Sequence, residues 1–204
     1  MKKVIIYGAC SAIATATAKL YAEENVDLFF IAQNEEKVKS LVEDFSVRYE
    51  KSPKYAIHNA LNTESLAEVF SDAVKELGGL DIILIAHGIL PDQEKAEKDL
   101  EYLHKVSMIN GNSAVYLSQI AANYFVEKSK GTIAVISSVA GDRGRYSNYI
   151  YGASKGYISV FLQGLKNKMA HHGVNVLNIK PGFVDTQVVR LWLLMYHWNL
   201  LILY

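Results

Sequence analysis

Residues 4–14 read VIIYGACSAIA, and this stretch decides the fold class. Four apolar residues lead into a glycine, after which alanines recur at helical spacing. A strand that turns sharply into a helix points backbone N–H groups and the positive end of the helix at the turn, where a phosphate binds well. The stretch therefore predicts a dinucleotide-binding strand–turn–helix unit, with Gly8, Ser11, Ala12 and Ile13 at the ligand.

The glycine pattern of this turn is incomplete. A dinucleotide loop usually carries three glycines, but Ala12 and Ala14 stand in two of those places and only Gly8 remains. Alanine is permitted at the last place, whereas the methyl group of Ala12 lies where the backbone should approach the ligand. An ordinary strand–helix turn therefore stays open as the alternative.

Outward from this unit, short apolar runs alternate with longer helical patterns. We predict strands at residues 4–7, 27–32, 55–58, 82–86, 132–137 and 174–179, and most of these runs are continuously apolar, which is typical of buried parallel strands. We predict helices at residues 13–24, 35–49, 63–77, 95–110, 113–128 and 151–171. This alternation predicts one α/β domain over residues 1–190, a doubly wound parallel sheet of the Rossmann type with helices on both faces.

The composition excludes several classes of function. Half of the 204 residues are hydrophobic, and 21 Lys and Arg balance 21 Asp and Glu, so no basic field attracts nucleic acid. A single cysteine excludes an internal disulfide, and no Cys/His spacing indicates a metal site. The apolar run at residues 4–10 is about the shortest that a signal core can be, and no run is long enough to span a bilayer. We expect a cytoplasmic protein with no nucleic-acid partner, no transmembrane segment and no metal.

Residues 191–204 depart from the pattern. Every residue there is apolar or aromatic except His197 and Asn199, and fourteen residues are too few to span a membrane. The segment is either a helix or strand buried against the core, or an altered or truncated terminus.

The chemistry is concentrated between the fifth strand and the last helix. Ser138 follows the strand, and Tyr151 and Lys155 come one helical turn apart at the start of the helix. Tyr124 and Lys128 repeat the spacing, but in mid-helix, where packing is the expected role. Because doubly wound sheets open their ligand crevice at the carboxyl ends of the strands, Ser138 and Tyr151 are expected at that crevice.

These three side chains suit a proton transfer coupled to hydride transfer. The Lys155 ammonium, close to the phenol, is expected to lower the pKa of Tyr151 from about 10. Tyr151 then acts as the general acid or base, and Ser138 donates to the substrate oxygen where charge develops.

At these residues the chain resembles the short-chain dehydrogenase/reductase family, in the expected order from Met1 to about Thr186, although it is shorter than usual at the C-terminal end. The resemblance implies that Ser138, Tyr151, Lys155 and Asn110 form the catalytic set, with Asn110 holding a water for proton relay. It implies an NAD(P)(H)-dependent oxidoreductase that acts on a carbonyl or alcohol and forms a homodimer or homotetramer. The rival hypothesis is a non-catalytic nucleotide-binding or assembly protein with a degraded cofactor loop and a truncated C-terminus.

The resemblance also implies the cofactor contacts. Beyond the Gly8 loop and the catalytic Tyr151 and Lys155, these are Gln33, Asn59, Ala60, Ala86, Gly88, Pro181, Gly182 and Thr186. Residues 85–88 depart from the family's Asn-Asn-Ala-Gly, with Ile85 and Ala86 at the Asn places. His87 among them is expected to line the crevice or to pack there rather than to act as a base. Gln33 ends the second strand where an acid would select NAD, so NADP(H) is slightly favoured and NAD(H) stays possible. Lys37 and Lys39 follow as candidates for a 2′-phosphate, although surface solvation is their more ordinary role.

The loop before Tyr151 carries the candidate substrate contacts Arg143, Arg145 and Tyr146. Residues 137–155 resemble the subgroup that reduces the keto sugar of polyprenyl-phosphate pentoses, which implies a lipid-linked or small carbonyl substrate. The alternative is that Arg143 pairs with Asp142 and that Arg145 is solvated.

Overall fold

The structure is a computed structural model that describes residues 1–24 and 26–182. The predicted cofactor residue Thr186 and the apolar segment 191–204 lie outside the described residues. The end of the domain at residue 190 therefore stays a prediction.

Six strands and seven helices follow one another in the described residues. The strands are β1 Lys2–Tyr7, β2 Val26–Ala32, β3 Lys54–Ile57, β4 Ile82–Ile85, β5 Gly131–Ile136 and β6 Val174–Ile179. The helices are α1 Ala12–Ala22, α2 Glu35–Tyr49, α3 Leu66–Leu77, α4 Gln93–Lys98, α5 Leu100–Ser107, α6 Ser113–Lys128 and α7 Tyr149–Ala170. There are also 3₁₀ turns at Thr63–Ser65 and Val139–Gly141, and a π-helical turn at Met108–Asn112.

The sheet confirms the predicted doubly wound fold. Its order is β3-β2-β1-β4-β5-β6, and all neighbouring strands are parallel. The chain crosses from one half of the sheet to the other between β3 and β4, so that the loops after β1 and β4 lie side by side. This switch point is where such sheets bind their ligands.

Two apolar layers cover the sheet because successive strand residues point to opposite faces. Val4 and Ile6 pack toward α1 and α2, with Phe30 and Phe45 in a T-shaped contact at 5.3 Å between ring centroids. The alternate residues of β1 pack in the second layer, with α3, α6 and α7.

The helix predicted at residues 95–110 is wrong as one unbroken element. Asp99 has an extended backbone between α4 and α5, and its side chain accepts from the Tyr102 N–H at 2.9 Å, which begins a new helix. At the far end, the π-helical turn joins α5 to α6 where a helix end was predicted at Asn110. Hydrophobic periodicity detects neither a local cap nor a one-turn change of helical pitch.

No helix in residues 1–24 and 26–182 combines the length and the hydropathy needed to cross a membrane.

Candidate active site

Strand β1 is followed by Gly8, whose backbone has a left-handed φ of +84°. A Cβ atom at Gly8 would lie 2.5 Å from the backbone nitrogen of His87, so a side chain does not fit between the β1 and β4 loops. The Gly8 N–H donates to the Ile31 carbonyl at 2.8 Å. Gly8, the glycine that remains from the incomplete pattern, therefore occupies a position where both the backbone conformation and the packing require a glycine.

Helix α1 begins at this turn. The Ser11 hydroxyl accepts from the Ala14 N–H at 3.4 Å, and no acidic residue lies in the first turn. Ala12 and Ile13 are the first two helical residues, and Ala12 is exposed. The structure thus brings Gly8, Ser11, Ala12 and Ile13 together at the positive end of a helix.

The loops after β2 and β3 carry the predicted adenosine contacts. Gln33 and Asn59 are exposed, Ala60 is buried, and the Asn59 side chain accepts from the Leu61 N–H at 3.0 Å. Lys39 forms an ion pair with Glu35 at 2.7 Å.

Lys37 is exposed on α2, and its charge acts on Cys10 in the loop after Gly8. Burial raises the pKa of the Cys10 thiol, and the Lys37 ammonium is close enough to oppose that shift.

Ser138, Tyr151 and Lys155 converge at the carboxyl end of β5. Ser138 begins the 3₁₀ turn Val139–Gly141, and its hydroxyl lies close enough to the Tyr151 phenol to lower the pKa of that phenol. The Lys155 ammonium lies 5.7 Å from the centroid of the Tyr151 ring and donates to the Ile136 carbonyl at 3.1 Å. The predicted proximity of the three groups is therefore present.

The predicted direction of the Tyr151 pKa is wrong in this structure. Burial raises the pKa of the phenol, and the opposing contact with Ser138 is the smaller effect. The same burial lowers the pKa of the Lys155 ammonium to about 8. Desolvation is therefore the dominant influence on the pKa of both groups.

Asn110 fastens the β4 loop to the π-helical turn. Its side-chain carbonyl accepts from the Ile89 N–H at 2.7 Å, and its amide donates to the Ile89 carbonyl at 2.8 Å. A Cβ atom on Gly88 would lie 3.0 Å from the Asn110 oxygen and 3.6 Å from the Lys155 nitrogen. Asn110 and Gly88 thus lie at the same crevice as the catalytic candidates, and the Asn110 amide is occupied by the backbone of Ile89.

Sequence reasoning missed the glycines that let α7 approach the turn after Ser138. A Cβ atom on Gly152 would lie 2.7 Å from the Ala140 carbonyl oxygen, and one on Gly141 would lie 2.6 Å from the backbone nitrogen of Gly156. Backbone contacts backbone here, which sets the spacing between Ser138 and Tyr151. The available signal was a pair of glycines, Gly152 and Gly156, inside a helical pattern.

The remaining predicted contacts border the crevice. Ala86 is buried and donates its N–H to the Tyr7 carbonyl at 2.8 Å. The carbonyl of Pro181 accepts from the Val139 N–H at 3.3 Å, so Pro181 and Gly182 lie beside the turn that follows Ser138.

The loop before α7 presents exposed side chains. Arg143, Arg145 and Tyr146 are exposed, with Tyr146 at 91%. Asp142 pairs with Lys180 at 2.5 Å, so the expected alternative of an Arg143–Asp142 pair is not formed. Two guanidinium groups are thus free of carboxylate partners among the described residues.

A sequence model described as short chain dehydrogenase matches residues 2–195. An uncharacterized oxidoreductase of Staphylococcus aureus (strain USA300) is 29% identical over 187 residues, which cover 92% of this chain and 80% of that protein.

Two solved structures are similar in fold. An actinorhodin polyketide ketoreductase variant with NADPH superposes with a TM-score of 0.89 at 20% identity, covering 99% of this chain and 78% of the other. ElxO with NADP bound gives a TM-score of 0.86 at 21% identity, covering 97% and 80%.

Proposed function

The chain belongs to the short-chain dehydrogenase family and is an oxidoreductase, and from this premise we propose that it reduces a carbonyl compound with a nicotinamide dinucleotide, with Tyr151 as the general acid. The observation that carries the proposal is the convergence of the Tyr151 phenol, the Ser138 hydroxyl and the Lys155 ammonium beside the β1 and β4 loops.

The residues of the crevice fit a dinucleotide. The first turn of α1 offers a pyrophosphate N–H groups that have no partner among the described residues, and Gly8 lets the β4 loop lie against this turn at the same crevice. Lys155 is a buried cation with no carboxylate partner among the described residues, and it retains donors for ribose hydroxyls. When bound, the nicotinamide supplies or accepts the hydride.

The protein's own residues handle the proton. Because burial raises the pKa of Tyr151, the phenol stays protonated at neutral pH and is ready to donate to a substrate oxygen that gains charge. Ser138 orients and stabilises the same oxygen. In the reverse direction the phenolate must accept the proton, which requires higher pH. The site is therefore better suited to reduction than to oxidation at neutral pH.

The loop between Ser138 and α7 supports a substrate with an anionic group. The exposed Arg143 and Arg145 present donors that match phosphate geometry, and the exposed Tyr146 offers a ring beside them. We include the phosphate of a lipid-linked sugar among the candidates, together with small anionic ketones.

NADP(H) is the favoured cofactor, with NAD(H) as the alternative. No carboxylate ends β2, and the exposed Lys37 follows it on α2, with its charge acting on Cys10 of the Gly8 loop. The structure of ElxO was solved with NADP bound, and its fold covers nearly all of this chain.

The test begins with binding. Fluorescence titration with NADPH and NADH should give saturable binding, tighter for NADPH, followed by turnover of aldehyde or ketone substrates. Tyr151→Phe should retain binding and lose at least about 100-fold in kcat, since a general acid contributes about 10²–10⁴-fold.

Tyr124→Phe is the matched control. Tyr124 also has a lysine four residues later, and the Lys128 ammonium lies 5.7 Å from its ring, but Tyr124 packs on Phe70 away from the crevice. This variant should turn over at the wild-type rate. Binding without turnover in all three proteins would support the rival non-catalytic protein, and undiminished activity of Tyr151→Phe would refute the role of the phenol.

We also propose a homodimer or homotetramer through α6 and α7. Tyr116 on α6 and Tyr157 and Val160 on α7 are exposed, Val160 at 70%. Light scattering should give a multiple of the 22.8 kDa chain mass, and Val160→Asp should reduce it to one chain. A monomeric wild type would refute this assignment.

A further inference from the structure

His87 is a histidine at the crevice that the proposed reaction does not use. Its ring packs edge-on against Tyr7, with 4.6 Å between the ring centroids. Its Nε2 atom lies 2.6 Å from the hydroxyl oxygen of Ser113, at the start of α6. The ring is thus held between the end of β1 and the helix that follows the π-helical turn.

The hydrogen bonds assign the proton of this ring. Ser113 donates its hydroxyl proton to the Ile109 carbonyl at 3.0 Å, so its oxygen accepts from the Nε2–H of His87. The Nδ1 atom is buried without a hydrogen-bond partner among the described residues. Burial, with the neighbouring Lys155 and His58 charges, lowers the pKa of His87 to about 3. The imidazole is therefore neutral, with Nε2 as its donor.

Two contacts fasten the β4 loop to the π-helical turn. One is the contact of His87 with Ser113, and the other is the pair of hydrogen bonds between Asn110 and Ile89. The segment 87–89 is joined to the segment 109–113 at both ends. Among the described residues, the Asn110 hydrogen bonds would be the remaining side-chain hydrogen bonds between the two segments if His87 were removed.

Tyr7 extends this support to the other side of the crevice. Its hydroxyl donates to Nδ1 of His58 at 2.6 Å, because His58 Nε2 donates to the Ser65 hydroxyl at 2.9 Å. Ser65 donates in turn to the Asn62 carbonyl at 3.3 Å. This chain of donors reaches the loop of residues 59–62, and the Tyr7 ring touches both His58 and His87.

We propose that His87 is a positioning residue of the nucleotide crevice, which keeps the β4 loop aligned with the Gly8 turn and with the π-helical turn that carries Asn110. The inference rests on the proposed function, since it concerns how the same crevice binds its dinucleotide. It assigns no proton transfer to His87.

The test compares variants that remove or retain the Nε2 donor. His87→Ala removes the ring and its hydrogen bond, whereas His87→Gln keeps a side-chain donor long enough to reach Ser113. Because one neutral hydrogen bond contributes about fivefold in an equilibrium constant, and the ring also packs on Tyr7, we expect a five- to twentyfold higher Kd for NADPH in His87→Ala. His87→Gln should stay within about threefold of the wild type.

Ser113→Ala probes the partner, and exposed His104 on α5 is the control. If the two residues act as a unit, Ser113→Ala should weaken NADPH binding, and the His87→Ala/Ser113→Ala double variant should be no weaker than His87→Ala alone. His104→Ala should bind like the wild type. The Kd values are measured by fluorescence titration below the onset of thermal unfolding of each variant.

Each result decides the inference. Three results would refute it: an unchanged Kd for NADPH in His87→Ala, an equal rise in Kd in His87→Ala and His87→Gln, or additive rises in the double variant. A lower thermal stability of any variant does not alter this conclusion. A wild type that binds neither NADPH nor NADH would refute the proposed function and this inference with it. Binding by the wild type, together with unchanged binding by His87→Ala, would refute the positioning role alone.

Discussion

Replacing Lys155 with methionine should make the protein more stable at neutral pH while removing its activity. Lys155 is 3% exposed, and burial lowers the pKa of its ammonium to about 8. The only hydrogen bond that its side chain makes to a described residue is the one to the Ile136 carbonyl. Burying a charge under these conditions costs free energy that an apolar side chain of similar length avoids.

The size of this effect follows from the pKa. The gap between about 8 and the ordinary value of 10.5, at about 1.4 kcal/mol per pH unit, corresponds to a cost of about 3 kcal/mol for the charged form. Loss of the hydrogen bond to Ile136 costs about 1 kcal/mol. At pH 7 the free energy of unfolding should therefore be about 2 kcal/mol higher in Lys155→Met than in the wild type.

The pH dependence identifies the cause. Below about pH 8 both the folded and the unfolded wild type hold the lysine proton, so its cost is fully present there. Between about pH 8 and 10.5 only the unfolded chain holds the proton, so the stability of the wild type rises with pH. At pH 9.5 about 2 kcal/mol of the cost is relieved, and the advantage of the variant should nearly disappear.

Urea unfolding at pH 7 and pH 9.5 measures both quantities, and Lys166→Met, an exposed position on the same helix, is the control. The control should differ little from the wild type at either pH. The reasoning fails if Lys155→Met is the less stable protein at pH 7, or if its difference from the wild type is the same at both pH values. Turnover should be lost in Lys155→Met, as expected where function needs a group that stability disfavours.

Three further predictions concern packing and pH. Gly152→Ala should lower kcat at least about tenfold, because the added Cβ atom would lie 2.7 Å from the Ala140 carbonyl oxygen. The control is Gly164→Ala, whose added Cβ atom would meet no described residue outside its own helix within 4 Å. This variant should retain kcat, and its free energy of unfolding in urea should rise by up to about 1 kcal/mol. Phe45→Ala should cost about 3–5 kcal/mol of unfolding free energy because its buried ring packs against the sheet, and the Kd for NADPH of the folded protein should not change. Because burial raises the pKa of Tyr151, the rate of ketone reduction should not fall between pH 6 and 8, whereas alcohol oxidation should rise with pH over the same range, both followed by NADPH absorbance.

The sheet was predictable because its central strands β1, β2 and β4 are largely buried on both faces. Continuous apolar runs mark most of the strands, and the alternation with helices implies parallel pairing. The parallel pairing of all neighbouring strands in the order β3-β2-β1-β4-β5-β6 confirms this. The region between β4 and α6 was not predictable in the same way. Its helix breaks at Asp99 and changes pitch at residues 108–112, and both events depend on local hydrogen bonds that leave the apolar spacing unchanged.

The sequence predicts which residues of the candidate site lie close together. Tyr151 and Lys155 are one helical turn apart, and Ser138 follows strand β5, so topology alone brings them to one edge of the sheet. The closeness of α7 to the turn after Ser138 depends on Gly141 and Gly152, whose role requires knowing which backbone each one faces. The role of His87 requires knowing that Ser113 lies within 2.6 Å of it.

Sequence spacing gives the distance between two groups but not the medium around them, and the Tyr151–Lys155 pair shows why this matters. An ammonium one turn from a phenol lowers the phenol pKa when both groups face water. Here burial acts on both groups and favours their neutral forms, which raises the pKa of Tyr151 and lowers that of Lys155. The raised pKa means that the Tyr151 phenol keeps its proton up to a higher pH. A protonated phenol suits donation to a carbonyl oxygen, so the burial that overturned the predicted pKa direction supports reduction as the direction of the proposed reaction.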